Sequence, residues 1–229
     1  MNILAISTTT HAKKSTSRAF LSYALQELKA LGHEIRYINA NDLHIVDNLS
    51  CYADGKFNCA SFDAGQYRCW AHKLSAENPK AYGGVDEMPV IYDGIAWADA
   101  VLFSTSVRWG SHSALLQKII ERLNTLENRK SVYGEQNPLD GKKCGVIVSG
   151  HNAHAQQVSS HLLEMFSWIG FETSVDSRFV WQKTSNLKSE VGDDLSNRQD
   201  QSDSVYAREY LLSEDAVSQM NAFISSLTL

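Results

Sequence analysis

The sequence has little of what marks several protein classes. No apolar run approaches the roughly 18 residues needed to span a bilayer, so no membrane span is expected. The chain starts directly on a strand pattern, without a basic segment or a cleavage site, and a cytoplasmic location follows as an expectation. Positive charge is not in excess: 21 Lys and Arg stand against 26 Asp and Glu, a formal net charge of -5. A mildly acidic chain does not suit a polyanion over a broad surface, so nucleic acid is not an expected partner. Internal repeats and low-complexity tracts are absent. So are G-x-G-x-x-G and G-x-x-x-x-G-K-S/T, which leaves a Rossmann dinucleotide grip and a P-loop unsupported. Cysteines number four, Cys51, Cys59, Cys69 and Cys144, and without a signal peptide they read as reduced thiols.

What is there is a regular alternation. Ile3, Leu4, Ala5 and Ile6 form a short apolar run ending at Ser7, as in a strand buried on both faces. Ser15, Thr16 and Ser17 are N-cap candidates, and Leu21, Ala24, Leu25, Leu28 and Leu31 then recur at helical spacing up to Gly32. Ile35, Tyr37 and Ile38 mark a second strand, which completes a βαβ unit. Residues 39–85 have no clear periodicity, apart from the turn signal at Tyr82, Gly83 and Gly84, and read as a long irregular insert. A helix opens around Asp86, Glu87, Met88 and Pro89, with the acids expected at its positive end and Ile91, Ile95 and Ala98 on its apolar face.

Residues 100–105 give a third strand, followed by a helix through Leu115, Leu116, Ile119, Ile120 and Leu123. Residues 144–149 give a fourth strand, followed by a helix through Val158, Leu162, Phe166 and Ile169 that stops at Gly170. A fifth strand is expected within 171–180, and a closing helix at about 205–227 with Tyr210, Val217, Met220 and Ile224 on one side. The expected fold is therefore α/β: one domain over 1–229, with a doubly wound parallel sheet of five strands and helices on both faces.

In such a sheet the ligand sits at the carboxyl ends of the strands, near the switch point. Three loops leave those ends here. The first, 7–17, collects hydroxyls (Thr8, Thr9, Thr10, Ser15, Thr16, Ser17) at a helix start, with His11, Lys13 and Lys14 beside them. That composition suits one phosphate, and it also suits an ordinary capped helix. The second, 106–113, sets Trp109 next to Gly110, which suits a flat heterocycle, or a tryptophan packed on the neighbouring loop. The third offers Gly150 between polar residues. His151 and His154 lack a third histidine or a carboxylate nearby, so no metal site is expected there.

These loops and the order of elements resemble the NAD(P)H-dependent FMN reductase group of the flavodoxin-like superfamily. Members carry a first loop like S-G-S-x-R-x-x-S-x-T, and here stand Ser7, Thr8, Thr9, Thr10, His11 and then Ser15, Thr16, Ser17. After the third strand they carry a T-P-V-(Y/R)-W-G-S segment, and here stand Thr105, Ser106, Val107, Arg108, Trp109, Gly110 and Ser111. Thr8 replaces the family glycine, His11 the arginine and Ser106 the proline.

The resemblance implies a flavodoxin-like fold with the strand order 2-1-3-4-5 and an FMN site. Thr9, His11, Ser15, Thr16 and Ser17 would contact its phosphate. Thr105, Ser106, Val107, Arg108, Trp109, Gly110 and Ser111 would line the ribityl chain and ring. Ser149, Gly150, His151 and Asn152 would face the pyrimidine edge. It implies an oxidoreductase with NAD(P)H as co-substrate and a quinone, flavin or other small molecule as acceptor. A flavodoxin-like electron carrier without NAD(P)H activity is the alternative. A homodimer is compatible with the resemblance, although the sequence does not show one. Iron–sulfur relatives carry a tight cysteine cluster between the second and third strands. The C-x7-C-x9-C spacing of Cys51, Cys59 and Cys69 departs from it, so plain thiols are expected.

Overall fold

A computed structural model describes residues 1–9, 15–51, 59, 67–151, 154–183 and 210–228. Five parallel strands form one sheet in the order β2-β1-β3-β4-β5. They are β1 (Asn2–Ser7), β2 (Glu34–Asn39), β3 (Ala100–Ser106), β4 (Lys143–His151) and β5 (Arg178–Lys183). This is the flavodoxin-like order expected from the sequence. Ile3 of β1 lies opposite Ile35 on one side and Ala100 on the other, which sets β1 inside the sheet.

Strand alternation sorts the apolar residues into two cores. On one face Leu4, Ile6, Val101, Phe103, Val146 and Val148 pack against α4 (Met88–Trp97), α5 (Ala114–Glu127) and α7 (Ala155–Trp168). Phe103 and Phe166 stack there with ring centroids 4.5 Å apart. On the other face Ile3, Ala5, Leu102, Ile147 and Phe179 pack against α1 (Thr16–Ala30) and α8 (Glu214–Thr228). Gly145 makes that second packing close: a Cβ there would fall 2.7 Å from the Phe223 ring.

Several elements differ from expectation. The fifth strand begins only at Arg178, and Glu172 makes an isolated bridge to Lys143 before the turn at 174–177. Of the expected closing helix, residues 205–209 lie outside the described residues, Tyr210 is helical, a turn at 211–213 in which the Tyr210 carbonyl accepts the Ser213 N–H interrupts it, and a helix runs on from Glu214. Val217 faces solvent, whereas Ala216, Phe223 and Leu227, which were not on the expected stripe, are buried. The acids before α4 do not serve its dipole. Glu87 accepts the His44 N–H at 2.7 Å, and Asp86 is buried against Arg122. Tyr37 is exposed because β2 is an edge strand.

The described part of the 39–85 stretch holds a 3-10 turn (Ala40–Asp42) and two short helices, α2 (Trp70–Glu77) and α3 (Pro79–Tyr82). It lies along α5. Lys118 donates to the Ile45 carbonyl and pairs with Asp47, and Arg122 donates to the Val46 carbonyl. One short helix, α6 (Arg129–Tyr133), follows α5.

Candidate functional site

The carboxyl ends of β1, β3 and β4 bring the three loops together. Thr8 N–H donates to the Ser104 carbonyl (2.9 Å) and Val107 N–H to the Ser149 carbonyl (2.8 Å), so strand pairing continues into the loops. Hydroxyls join the first loop to the second. Ser113 Oγ donates to Thr8 Oγ1 (3.0 Å), Thr105 Oγ1 donates to Ser113 Oγ (3.2 Å), and Ser104 Oγ donates to the Ser17 carbonyl (3.0 Å). Thr8, Ser104, Thr105 and Ser113 are all buried, so this network fixes the floor of the site.

At the start of α1, Ser15 is the N-cap and accepts the Arg18 N–H at 3.3 Å. Its hydroxyl also donates to Thr9 Oγ1 (2.9 Å) and lies 3.1 Å from Ser17 Oγ. Thr9, Ser15, Thr16 and Ser17 therefore form one buried cluster. Removing the cap alone is the mildest test of this corner. Ser15→Ala should cost about 1 kcal/mol in urea unfolding of the flavin-free protein.

Two features here lay outside the sequence pattern. Ser7 Oγ, at the end of β1, is fully buried and has no hydrogen-bond partner among the described residues. Arg18 sits in the first turn of α1, where no acidic residue is present, and its guanidinium donates to Asn39 Oδ1 at 3.2 Å. Asn41 continues that link by donating to the Thr9 carbonyl. No local spacing connects Arg18, Asn39 and Asn41. The β1–β2 pairing does, because it sets Asn39 beside Ser7.

The second loop turns sharply. Arg108 and Ser111 exchange two backbone hydrogen bonds of 2.7 and 3.0 Å, and both residues between them have positive φ, 50° at Trp109 and 79° at Gly110. That is the pattern of a type I′ turn, in which glycine and asparagine are the usual residues. A tryptophan in this conformation is strained, and Trp109 is fully solvent-exposed. The expectation that it packs on the neighbouring loop is not met.

Loops two and three touch. A Cβ on Gly110 would lie 3.9 Å from the His154 ring, and one on Gly150 would fall 2.7 Å from Val107 Cγ2. His112, below the turn, lies 2.8 Å from Gln117 Oε1. Burial lowers its pKa, Gln117 opposes that shift, and His161 adds to it. His112 is a neutral structural group at pH 7.

Of the expected site residues, Thr105 is enclosed and committed to Ser113, while Ser106, Val107, Arg108, Trp109, Gly110 and Ser111 form the rim. Ser149 and Gly150 are buried near the end of β4, and the backbone of His151 ends that strand. His11, Asn152 and the side chain of His151 lie outside the described residues. Among the described residues no group of three or more His, Cys, Asp or Glu is arranged to hold a metal ion. No described helix is long and apolar enough to cross a membrane.

The sequence matches the family model of the NADPH-dependent FMN reductases over residues 1–185. No curated protein sequence matches it significantly. Among solved structures it is similar to an NADH:FMN oxidoreductase in its apo form, at 18% identity and a TM-score of 0.54, over 100% of this chain and 89% of that one. It is also similar to the NAD(P)H:quinone oxidoreductase of Methanothermobacter marburgensis, at 15% identity and a TM-score of 0.53, over 100% and 95%. A third is the FMN-dependent NADH-azoreductase of Bacillus anthracis str. Ames Ancestor in complex with FMN, at 11% and 0.54, over 100% and 98%.

Proposed function

The chain belongs to the NADPH-dependent FMN reductase family, and from that premise we propose that it is an FMN-dependent oxidoreductase that moves reducing equivalents from NAD(P)H to a small quinone-like or flavin-like acceptor. The observation that carries the reading is the joined set of three loops at the carboxyl ends of β1, β3 and β4, with a hydroxyl cluster at one end and a glycine turn at the other.

The donor set fits the group. The unpartnered Ser7 hydroxyl is a donor awaiting an acceptor. The first N–H groups of α1 have no carbonyl within the helix to receive them. A phosphate at this helix start would satisfy both kinds of donor. Arg18 brings a cation to the same helix start, where a phosphate would meet both its guanidinium and the positive end of the dipole. Thr9, Ser15, Thr16 and Ser17 would hold the phosphate, with Arg18 in place of the family arginine that His11 replaces. Ser106, Val107, Arg108, Trp109, Gly110 and Ser111 would border the ribityl chain and the ring. Ser149, Gly150, His151 and Asn152 would offer polar groups to the ring edge. Thr105, which donates to Ser113 Oγ, would position the loop from beneath.

FMN held by these residues would supply the hydride-accepting and electron-passing chemistry. The chain's own tasks are to orient two planar molecules and to offer donors where negative charge gathers. Gly150 is buried, and its missing side chain lets Val107 pack closely against the end of β4. Trp109, held out at the turn, presents an apolar face at the rim. A homodimer would bury that exposed ring, and a two-fold assembly is part of the proposal.

The purified protein should be yellow, or become so on addition of FMN, and should oxidise NADH or NADPH in steady state when menadione or free flavin is supplied. Flavin binding without pyridine-nucleotide oxidation would make it an electron carrier. No flavin spectrum after FMN addition would overturn the reading.

A further inference from the structure

Three of the four cysteines meet outside the flavin loops. Cys51, Cys59 and Cys69 line one small cavity of about 10 Å3, room for roughly one water-sized molecule, bounded by Arg122 and Thr125 of α5. All four cysteines are thiols. Arg122 lies nine residues along α5 from Ser113, about 13 Å at the helical rise, so the cavity is separate from the loop site.

The three sulfurs are not equivalent. Arg122 Nη2 donates to Cys69 Sγ at 2.8 Å, and contact with a guanidinium is the setting in which reactive cysteines occur. Cys59 takes a 3.4 Å hydrogen bond from Asn124 Nδ2, and its electrostatic surroundings include both Cys51 and Cys69. Burial pushes the Cys59 thiol up to about 11. Cys144 is enclosed in β4 and lines no part of this cavity. The described side chains are not arranged as a metal site, which leaves sulfur chemistry itself.

We propose that Cys69 and Cys59 form a peroxide-responsive dithiol, with Cys69 the attacking sulfur and Cys59 the resolving one. Hydrogen peroxide is the oxidant, a molecule close in size to the single water for which the cavity has room. The Cys69 sulfur gives up its proton and attacks one peroxide oxygen. The O–O bond breaks, and the departing hydroxide takes a proton and leaves as water. The Cys59 sulfur then attacks the sulfenic sulfur, an S–S bond replaces the S–O bond, and a second water leaves. Two thiols and one peroxide yield one disulfide and two waters, with two electrons passing from sulfur to oxygen.

The disulfide would change how residues 39–85 are held. Cys69 would trade its contact with Arg122 for a covalent link across the stretch, next to the Asp86–Arg122 pair that fastens it to α5.

The test uses the full-length protein and is read independently of flavin. After treatment with hydrogen peroxide and thiol blocking, non-reducing peptide mapping should find Cys59 joined to Cys69, with two hydrogens lost and reversal by dithiothreitol. Cys51→Ser and Cys144→Ser should keep the link, and Cys59→Ser and Cys69→Ser should remove it. In the untreated protein, iodoacetamide should label Cys69 about tenfold faster than Cys59 or Cys144. A link through Cys51 or Cys144, sulfinic acid at Cys69 without any link, or equal labelling rates would each overturn the proposal.

Discussion

Asp86→Ala should lower the stability of the protein by about 3–5 kcal/mol, which is a large share of the ~5–15 kcal/mol typical of a folded domain. Asp86 and Arg122 are almost wholly buried, and their carboxylate and guanidinium meet at 2.7 and 3.1 Å. Removing the carboxylate leaves a guanidinium enclosed without its counter-charge. It also strands the Val46 N–H, which donates to Asp86 Oδ1 at 3.0 Å. Nearby exposed pairs give the contrast. Lys118–Asp47 has an 81% exposed carboxylate, and Asp47→Ala should cost no more than about 1 kcal/mol. Urea denaturation measures both. The midpoint should fall for Asp86→Ala at nearly constant m, because the loss is a native-state one. A change below about 1 kcal/mol would mean that water reaches Arg122 and that the pair is not sealed.

Replacing the whole pair by apolar residues should recover only part of that loss. Buried ion pairs are often matched by apolar substitutes of similar volume. Here Arg122 also donates to the Val46 carbonyl at 2.6 Å and to Cys69, and Ser75 Oγ receives the Asp86 N–H. The pair is thus a fastener between an irregular stretch and a helix. Its polar atoms satisfy backbone groups that a strand or helix would have satisfied within itself.

That irregular stretch marks where sequence reading ends. β1, β3 and β4 are legible because apolar runs buried on both faces have few other uses. α5 is legible because Leu116, Ile119 and Leu123 repeat at its own period. Ser15 and Ser113 are legible as caps because capping is local. Asp86 is not. Beside Glu87 and Pro89 it reads as a helix-dipole acid, and only a partner 36 residues away gives its real task. The cysteines were equally opaque, since spacings of eight and ten residues say nothing about a shared cavity unless the backbone between them is known. In the site, the hydroxyl-rich loop was visible, but the Thr8–Ser113 and Ser104–Ser17 links, spanning 105 and 87 residues, exist only because β1 and β3 are neighbours. Trp109 drew notice by its residue type, while its exposure depends on the turn that carries it.

Arg18→Gln should weaken FMN binding about tenfold or more while leaving the flavin-free protein within about 1 kcal/mol of its original stability. Both halves follow from one position. Arg18 stands in the first turn of α1, where a positive side chain faces the positive end of the helix dipole. In the flavin-free state that placement is unfavourable by a few tenths of a kcal/mol up to about 1 kcal/mol, so removing the charge offsets the lost hydrogen bond to Asn39. With a phosphate at the helix start the sign reverses, because the same guanidinium then faces two negative charges. Glutamine keeps a donor and much of the side-chain length, so lost affinity reports charge more than packing. Fluorescence titration of the apoprotein with FMN gives the first quantity and urea denaturation without FMN gives the second. Riboflavin, which lacks the phosphate, should bind both proteins alike. A variant that loses affinity for riboflavin as much as for FMN, or that is destabilised to the same extent as it loses FMN, would make Arg18 a packing residue and move the phosphate elsewhere.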